Sequence, residues 1–145
     1  MVTGGTKRQR ELVESIALYC VYKLMPRKRK IDINIKLDKV DSALGYCYEE
    51  WHGSYAIEID KRQTLRRLLE TVAHEMVHVK QYARREINGK DCWYGKYVNT
   101  DKTDYWDLPW EIEAHGREVG LFTRWASECG HASKSWAQDP LEVLR

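Results

Sequence analysis

Leu65-Arg66-Arg67-Leu68-Leu69-Glu70-Thr71-Val72-Ala73-His74-Glu75-Met76-Val77-His78-Val79 is the stretch on which the fold turns. Leu65, Leu68, Leu69, Val72, Ala73, Met76 and Val79 recur at the i, i+3, i+4, i+7 spacing, one apolar stripe of an α-helix. His74 and His78 are four apart and lie beside that stripe, with Glu70 and Gln81 roughly in line. Residues 74–78 read His-Glu-Met-Val-His, the H-E-x-x-H pattern. Two imidazoles one turn apart on one face can bind one Zn²⁺ from one side. Glu75, beside the first of them, is placed to take a proton from a water at the ion. Chance yields such a pentapeptide on the order of 1 in 100 times in a chain with these few histidines. Here it falls on a helix that can bury its stripe while the histidines line a cleft.

The pattern changes on both sides of this helix. Upstream, Asp60 with Gln63 forms a capping box, and Thr64 is the other N-cap candidate. Alternating runs over Tyr55–Asp60 and Tyr46–Glu50 read as strands joined by a turn at Trp51-His52-Gly53-Ser54. Ile31, Ile33, Ile35 and Leu37 alternate with Asp32, Asn34 and Lys36 in a third, half-buried strand. Residues 8–25 read as a first helix, with Leu12, Val13, Ile16, Ala17, Cys20, Val21 and Leu24 on its apolar face and Pro26 as its stop.

Downstream, the metal-site helix is predicted to run to about Ile87, where Asn88-Gly89 supplies a left-handed stop. Residues 90–107 have no clear period, and their Trp93, Tyr94, Tyr97, Tyr105 and Trp106 suit either a substrate cleft or a cover for the core. A last helix begins near Asp107, with Pro109 in its first turn. It carries Ile112, Val119, Leu121, Phe122 and Trp125 toward the core and fades near Cys129-Gly130. Trp110 and Trp125 read as core residues. The expectation is a single α+β domain over 1–145: an N-terminal helix, a small three-stranded sheet, the H-E-x-x-H helix and a second ligand-bearing helix. Residues 1–7 and 131–145 are the candidate flexible ends, the latter with one apolar group, Leu141–Leu144.

Composition excludes some classes. The chain of 145 residues is 43% hydrophobic and 32% charged, ordinary for a globular domain. It holds no run of 18 apolar residues, so no membrane span is expected. Met1–Arg10 is polar and basic with no apolar region after it, so a cytoplasmic location is expected. Cys20, Cys47, Cys92 and Cys129 form no C-x-x-C pair, and free, mostly buried thiols are expected. A net charge of +2 gives no general drive toward nucleic acid. The basic run Arg27-Lys28-Arg29-Lys30 reads as a solvated corner, with a phosphate-contacting patch as the alternative. His52 reads as a solvated turn residue.

A catalytic zinc usually takes three protein ligands and keeps one position for water. Trp110-Glu111-Ile112-Glu113-Ala114-His115 offers the third. Glu111 and Glu113 lie about 200° apart around a helix, so only one can face the metal. His115 is four past Glu111 and shares its face.

An H-E-x-x-H helix followed by a helix with Glu-x-x-Ala resembles the gluzincin metallopeptidases. The resemblance implies that the first Glu of Glu-x-x-Ala, here Glu111, is the metal ligand. It implies further that Ala114 permits close helix packing and that the residue at His115 supports the site. The family usually has Asp there, so His115 departs from the pattern, and a supporting, ligating or unrelated role is open. With a shifted register, Glu113 is the ligand and Glu111 lies on the surface. The order of elements over residues 8–126 also resembles the small single-domain zincins, including SprT-like proteins. Those often use His as third ligand and many carry a C-terminal zinc ribbon, for which this chain has no cysteine pairs.

The resemblance implies a zincin-like fold, Zn²⁺ as cofactor, a peptide or protein substrate and hydrolysis by a metal-activated water with Glu75 as general base. Tyr94, Tyr97, Tyr105 and His131 are candidates for stabilising the oxyanion. The strand Tyr55–Asp60 is the candidate edge along which an extended peptide pairs. A non-catalytic zinc-binding interaction domain and an SprT-like, DNA-associated protease are the alternatives.

Overall fold

Alternation of apolar and polar residues produces strand β2 (Asp32–Asp38), whose Ile35 and Leu37 are buried while Lys36 and Asp38 face water. It runs parallel to β4 (Ser54–Asp60), which pairs on its other side antiparallel to β3 (Gly45–Trp51). His52-Gly53 makes the tight turn between β3 and β4, with Gly53 at φ 96°. His52 is exposed there. The sheet has a fourth strand, β1 (Val2–Gly4), parallel to β2, and the order is β1-β2-β4-β3. Three residues leave no alternation to read, so this strand falls within the segment expected to be a flexible end. Gly4 sits at φ 77°, and a Cβ there would collide with the Leu37 carbonyl. The sheet order corrects another expectation. Tyr55–Asp60 lies in the central strand β4, which is buried at five of its seven positions, and the edges of the sheet are β1 and β3.

The computed structural model describes residues 1–27 and 30–139. Lys28 and Arg29 of the basic cluster, and Leu141–Leu144, lie outside the described residues; Arg27 and Lys30 are exposed. Among the described residues, no helix is long and apolar enough to cross a membrane.

Helix α1 (Lys7–Leu24) opens on a capping box: the Gln9 amide donates to Thr6 Oγ1 (3.1 Å) and the Thr6 amide to Gln9 Oε1 (2.9 Å). It buries Val13, Ile16, Ala17, Cys20 and Leu24 against the sheet and α2 (Leu65–Ala83). Thr64 is the N-cap of α2, but its side chain makes no capping bond. Asp60 instead ends β4, its carboxylate receiving the Arg62 amide and guanidinium at 2.9–3.0 Å.

The far end of α2 comes earlier than expected. It stops at Ala83 rather than near Ile87, because Arg85 takes the left-handed conformation (φ 59°). The Glu86 amide then bonds the Gln81 carbonyl (2.8 Å) and the Arg85 amide the Tyr82 carbonyl (3.1 Å), a Schellman closure. Buried Glu86 meets the Lys80 ammonium at 2.7 Å, which supplies a reason for the reversal.

Residues 87–97, which include the predicted helix stop and the first part of the stretch without a clear period, form a meander of two-residue strands: β5 (Ile87–Asn88), β6 (Cys92–Trp93) and β7 (Lys96–Tyr97). Tyr94-Gly95, both at positive φ, make its second turn. Helix α3 (Pro109–Glu128) packs on α2 and buries Trp110, Ala114, Glu118, Leu121, Phe122 and Trp125. Ile112 and Val119, expected in the core, are 57% and 47% exposed. The helix is rotated so that the row through Ala114 and Glu118 faces α2. Trp125, fully buried, donates its indole N–H to Ser15 Oγ of α1 (3.0 Å). Trp136 stacks near Trp125, so residues 131–137 continue the packed structure. All four cysteines are free, but only Cys20 is buried; Cys47 and Cys92 are partly exposed and Cys129 is exposed.

Candidate metal centre

Helix α2 lies between the sheet and α3, so its polar face is covered as well as its apolar one. His74, Glu75, His78, Lys80 and Gln81 are all buried, and α3 supplies partners for His74, His78, Lys80 and Gln81. Glu111 is the main one. Its Oε1 lies 3.0 Å from His74 Nε2 and 3.2 Å from His78 Nε2. The three ligand atoms of His74, His78 and Glu111 fall within 4.8 Å of one another.

The outer nitrogens decide what these groups can hold. Gln81 Nε2 donates to the Trp110 carbonyl (3.0 Å) and to Glu113 Oε1 (2.9 Å), which leaves Gln81 Oε1 as an acceptor, 2.7 Å from His78 Nδ1. His74 Nδ1 faces a carboxylate oxygen of Glu118 at 3.3 Å. A neutral imidazole has one N–H, and in both rings it is committed at Nδ1. Each Nε2 therefore turns a lone pair toward Glu111 Oε1. Two lone pairs and a carboxylate oxygen so close repel unless a cation lies among them, either a proton or a metal ion. The His/His/Glu donor set, with both outer N–H groups held by acceptors, fits zinc.

The electrostatics agree. Burial pushes the His74 imidazolium down, but Glu111, Glu118 and the Glu75 charge outweigh it, and its pKa is raised to about 9. His78 is raised for the same reasons, with burial opposed by Glu111 and Glu75. Burial would raise the Glu111 carboxyl, but hydrogen bonds from the two histidines hold it well below the ordinary range. Glu75 differs. It has no such bond, and burial raises it despite the opposing charges of His78 and His74.

Glu113 lies elsewhere. Its carboxylate binds Lys80 (2.6 Å), Gln81 (2.9 Å) and Arg117 (3.0 Å), and it touches neither histidine. His115 packs its ring on His74, with centroids 4.4 Å apart, and its Nδ1 meets Glu118 Oε1 at 3.0 Å. Its Nε2 lies 3.0 Å from the Tyr105 hydroxyl, which is also 3.2 Å from Glu111 Oε1. His74, His115 and Glu118 thus form a second close group that shares His74 with the first. Of the residues considered for the oxyanion, only Tyr105 bonds to the cluster. Tyr94 packs on Trp93, Tyr97 is exposed, and His131 lies between Trp125 and Trp136. Glu70 pairs with Arg66 instead (3.4 Å).

Glu118 is the residue that sequence reading missed. One carboxylate orients two histidines, one through each oxygen. The available signal was its spacing, seven past Glu111 and three past His115, on one helical face.

A cleft opens over the cluster. One lobe, about 320 Å³, is lined by Leu44, Arg67, Trp106 and His115, and another, about 250 Å³, by Cys47, Tyr82, Trp110 and Glu111. Ala43, Gly45, His74, Glu75 and Tyr105 border both. Glu75 therefore stands at the waist of the cleft, beside the histidines and below the start of β3. No protein-family model, no curated protein and no solved structure matches the chain.

Proposed function

We propose that this chain is a zinc-dependent peptidase of the gluzincin type, with His74, His78 and Glu111 as ligands and Glu75 as general base. The observation that carries the reading is the convergence of two Nε2 lone pairs on one carboxylate oxygen while a fourth group, Glu75, lines the cleft with no hydrogen-bond partner among the described residues. Zinc, when bound, supplies an acidified water and polarisation of the scissile carbonyl. Glu75 accepts the proton of the attacking water and passes it to the leaving amine; its raised pKa suits both transfers. Tyr105, at the mouth of the site, is placed to donate its O–H to the developing oxyanion. The unpaired edge of β3 offers backbone groups to an extended peptide lying across the cleft.

A structural zinc site is the second reading, favoured by the near-complete burial of His74 and His78 at 7% and 9% exposure. Glu75 separates the two, since a structural site has no use for a general base. Glu75→Gln is expected to bind one zinc per chain, as wild type does, and to lose at least about a hundredfold in peptide cleavage. His78→Ala is expected to lose the metal. Full activity in Glu75→Gln, or equal zinc in His78→Ala, would sink the assignment.

A further inference from the structure

We propose that the 320 Å³ lobe receives a carboxylate carried by the part of a peptide C-terminal to the bond cut, with Arg67 as its partner and Leu44 and Trp106 as walls. This rests on the peptidase reading and gives it a substrate class.

Four observations lead there. First, Arg67 is exposed and lines the lobe, and its guanidinium has no hydrogen-bond or ion-pair partner among the described residues. Its neighbours are engaged: Arg62 with Asp60 at 2.9 Å, and Arg66 with Glu70 and the Ala137 carbonyl. Second, the walls are apolar side chains left open to solvent, Trp106 at 66% and Leu44 at 42% exposure. A planar indole and a methyl-bearing wall beside a free guanidinium suit a group with an apolar stem and an anionic end. Third, Arg67 is seven residues before His74 on α2, about 10 Å along the helix. An extended peptide advances roughly 3.3 Å per residue, and a helical side chain leans toward the helix N-terminus, here away from His74, so the guanidinium meets about the third residue beyond the reacting centre.

Fourth, the strand direction assigns the side. β3 runs from Gly45, which borders both lobes, to Trp51; Leu44 just before it lines this lobe, and Tyr46 and Cys47 line the other. A peptide added antiparallel to β3, the better-bonded arrangement, has its C-terminal part at Gly45 and Leu44. The lobe then holds the residues that leave with the amine. The acceptor groups of the lobe, Glu75 and Glu118, lie at its inner end by His74 and His115, so the positive end of the lobe is the one away from the reacting centre.

The test uses the full zinc-loaded chain and peptides of one neutral body. Glu, Gln or Lys is placed at each of the first four residues after the bond cut in turn, and each peptide is made with a free and an amidated C-terminus. Cleavage sites are read by mass spectrometry. Wild type is expected to favour Glu over Lys by about tenfold or more in kcat/KM, Arg67→Gln to flatten the ratio and Arg67→Glu to reverse it. A Glu-over-Lys preference lost in Arg67→Gln identifies an acidic side chain; a free-over-amidated preference lost in Arg67→Gln identifies the terminal carboxylate. Binding of the same peptides to Glu75→Gln, followed by calorimetry, separates two failures. Cleavage with neither a Glu-over-Lys nor a free-over-amidated preference, or with one unmoved by Arg67→Glu, or with one on the N-terminal side of the bond, overturns the pocket and leaves the peptidase standing. No cleavage, with binding that still depends on Arg67 and acid, overturns the peptidase and supports the pocket.

Discussion

At the scale of single residues, the site depends on which nitrogen of each histidine carries the proton. Gln81 and Glu118 fix this, because each offers only an acceptor to an Nδ1. Removing the acceptor frees the ring to turn. Glu118→Ala is therefore expected to weaken zinc binding by about 10–100-fold, read by competition with a chromogenic chelator. Glu111→Gln should abolish stoichiometric binding. Glu113→Gln should keep one zinc per chain and lose stability instead, since Glu113 neutralises the buried Lys80. Equal loss of zinc in Glu113→Gln and Glu111→Gln would show that the helix register drawn here is wrong. The same contrast explains what was legible in the chain. His74, Glu75 and His78 are local, and a spacing of four on a helix suffices to bring them together. Choosing Glu111 over Glu113 needs the rotation of α3 against α2, which the spacing alone leaves open. Glu118 is two turns further and is readable only once that rotation is known.

At the scale of elements, the strongly periodic segments declare themselves and the ends do not. The apolar spacing of α1 and α2 and the alternation of β2 carry over into the structure. β1 is three residues, and its partner is over thirty residues away in sequence, so no local pattern marks it. The end of α2 was misplaced because Asn88-Gly89 is the stronger local stop signal. The structure instead reverses at Arg85, where the buried ion pair between Lys80 and Glu86, six residues apart, accompanies the turn. That leaves a β-carbon in a left-handed conformation at a position where glycine is the usual residue. Arg85→Gly is therefore expected to stabilise the protein by about 0.5–1 kcal/mol, visible as a higher urea midpoint with unchanged slope. A lower midpoint would mean that the Arg85 side chain contributes more than its backbone conformation costs. Glu86→Ala should act in the opposite direction, because it removes one of the two carboxylates that hold the buried Lys80.

At the scale of the whole molecule, the site is also the polar seam between α2 and α3, so metal and folding are coupled. In metal-free protein a proton must take the place of the cation. His74 faces Glu111 and Glu118 from α3, Glu75 from its own helix and Tyr105 from the turn before α3. Its pKa is raised from 6.5 to about 9 on folding. A group raised in the folded state contributes stability that is fully present below its unfolded pKa and is lost as pH rises through its folded one. Metal-free protein should therefore lose on the order of 3 kcal/mol between pH 6.5 and 9. The lowered carboxyl of Glu111 is the same interaction seen from its partner and adds nothing to that figure. Zinc reverses the trend. Its ligands must be deprotonated, so its binding strengthens over the window in which the proton is lost, and free zinc at a hundred times Kd adds about 2.7 kcal/mol. Urea midpoints at pH 6.5 and 8.5, with chelator and with zinc, test both halves at once. The midpoint should fall with pH in chelator and hold or rise in zinc. A metal-free midpoint that stays level across the window would mean that the histidines do not hold the two helices together through Glu111. A zinc increment no larger at pH 8.5 than at pH 6.5 would mean that the ion does not bind at the imidazoles.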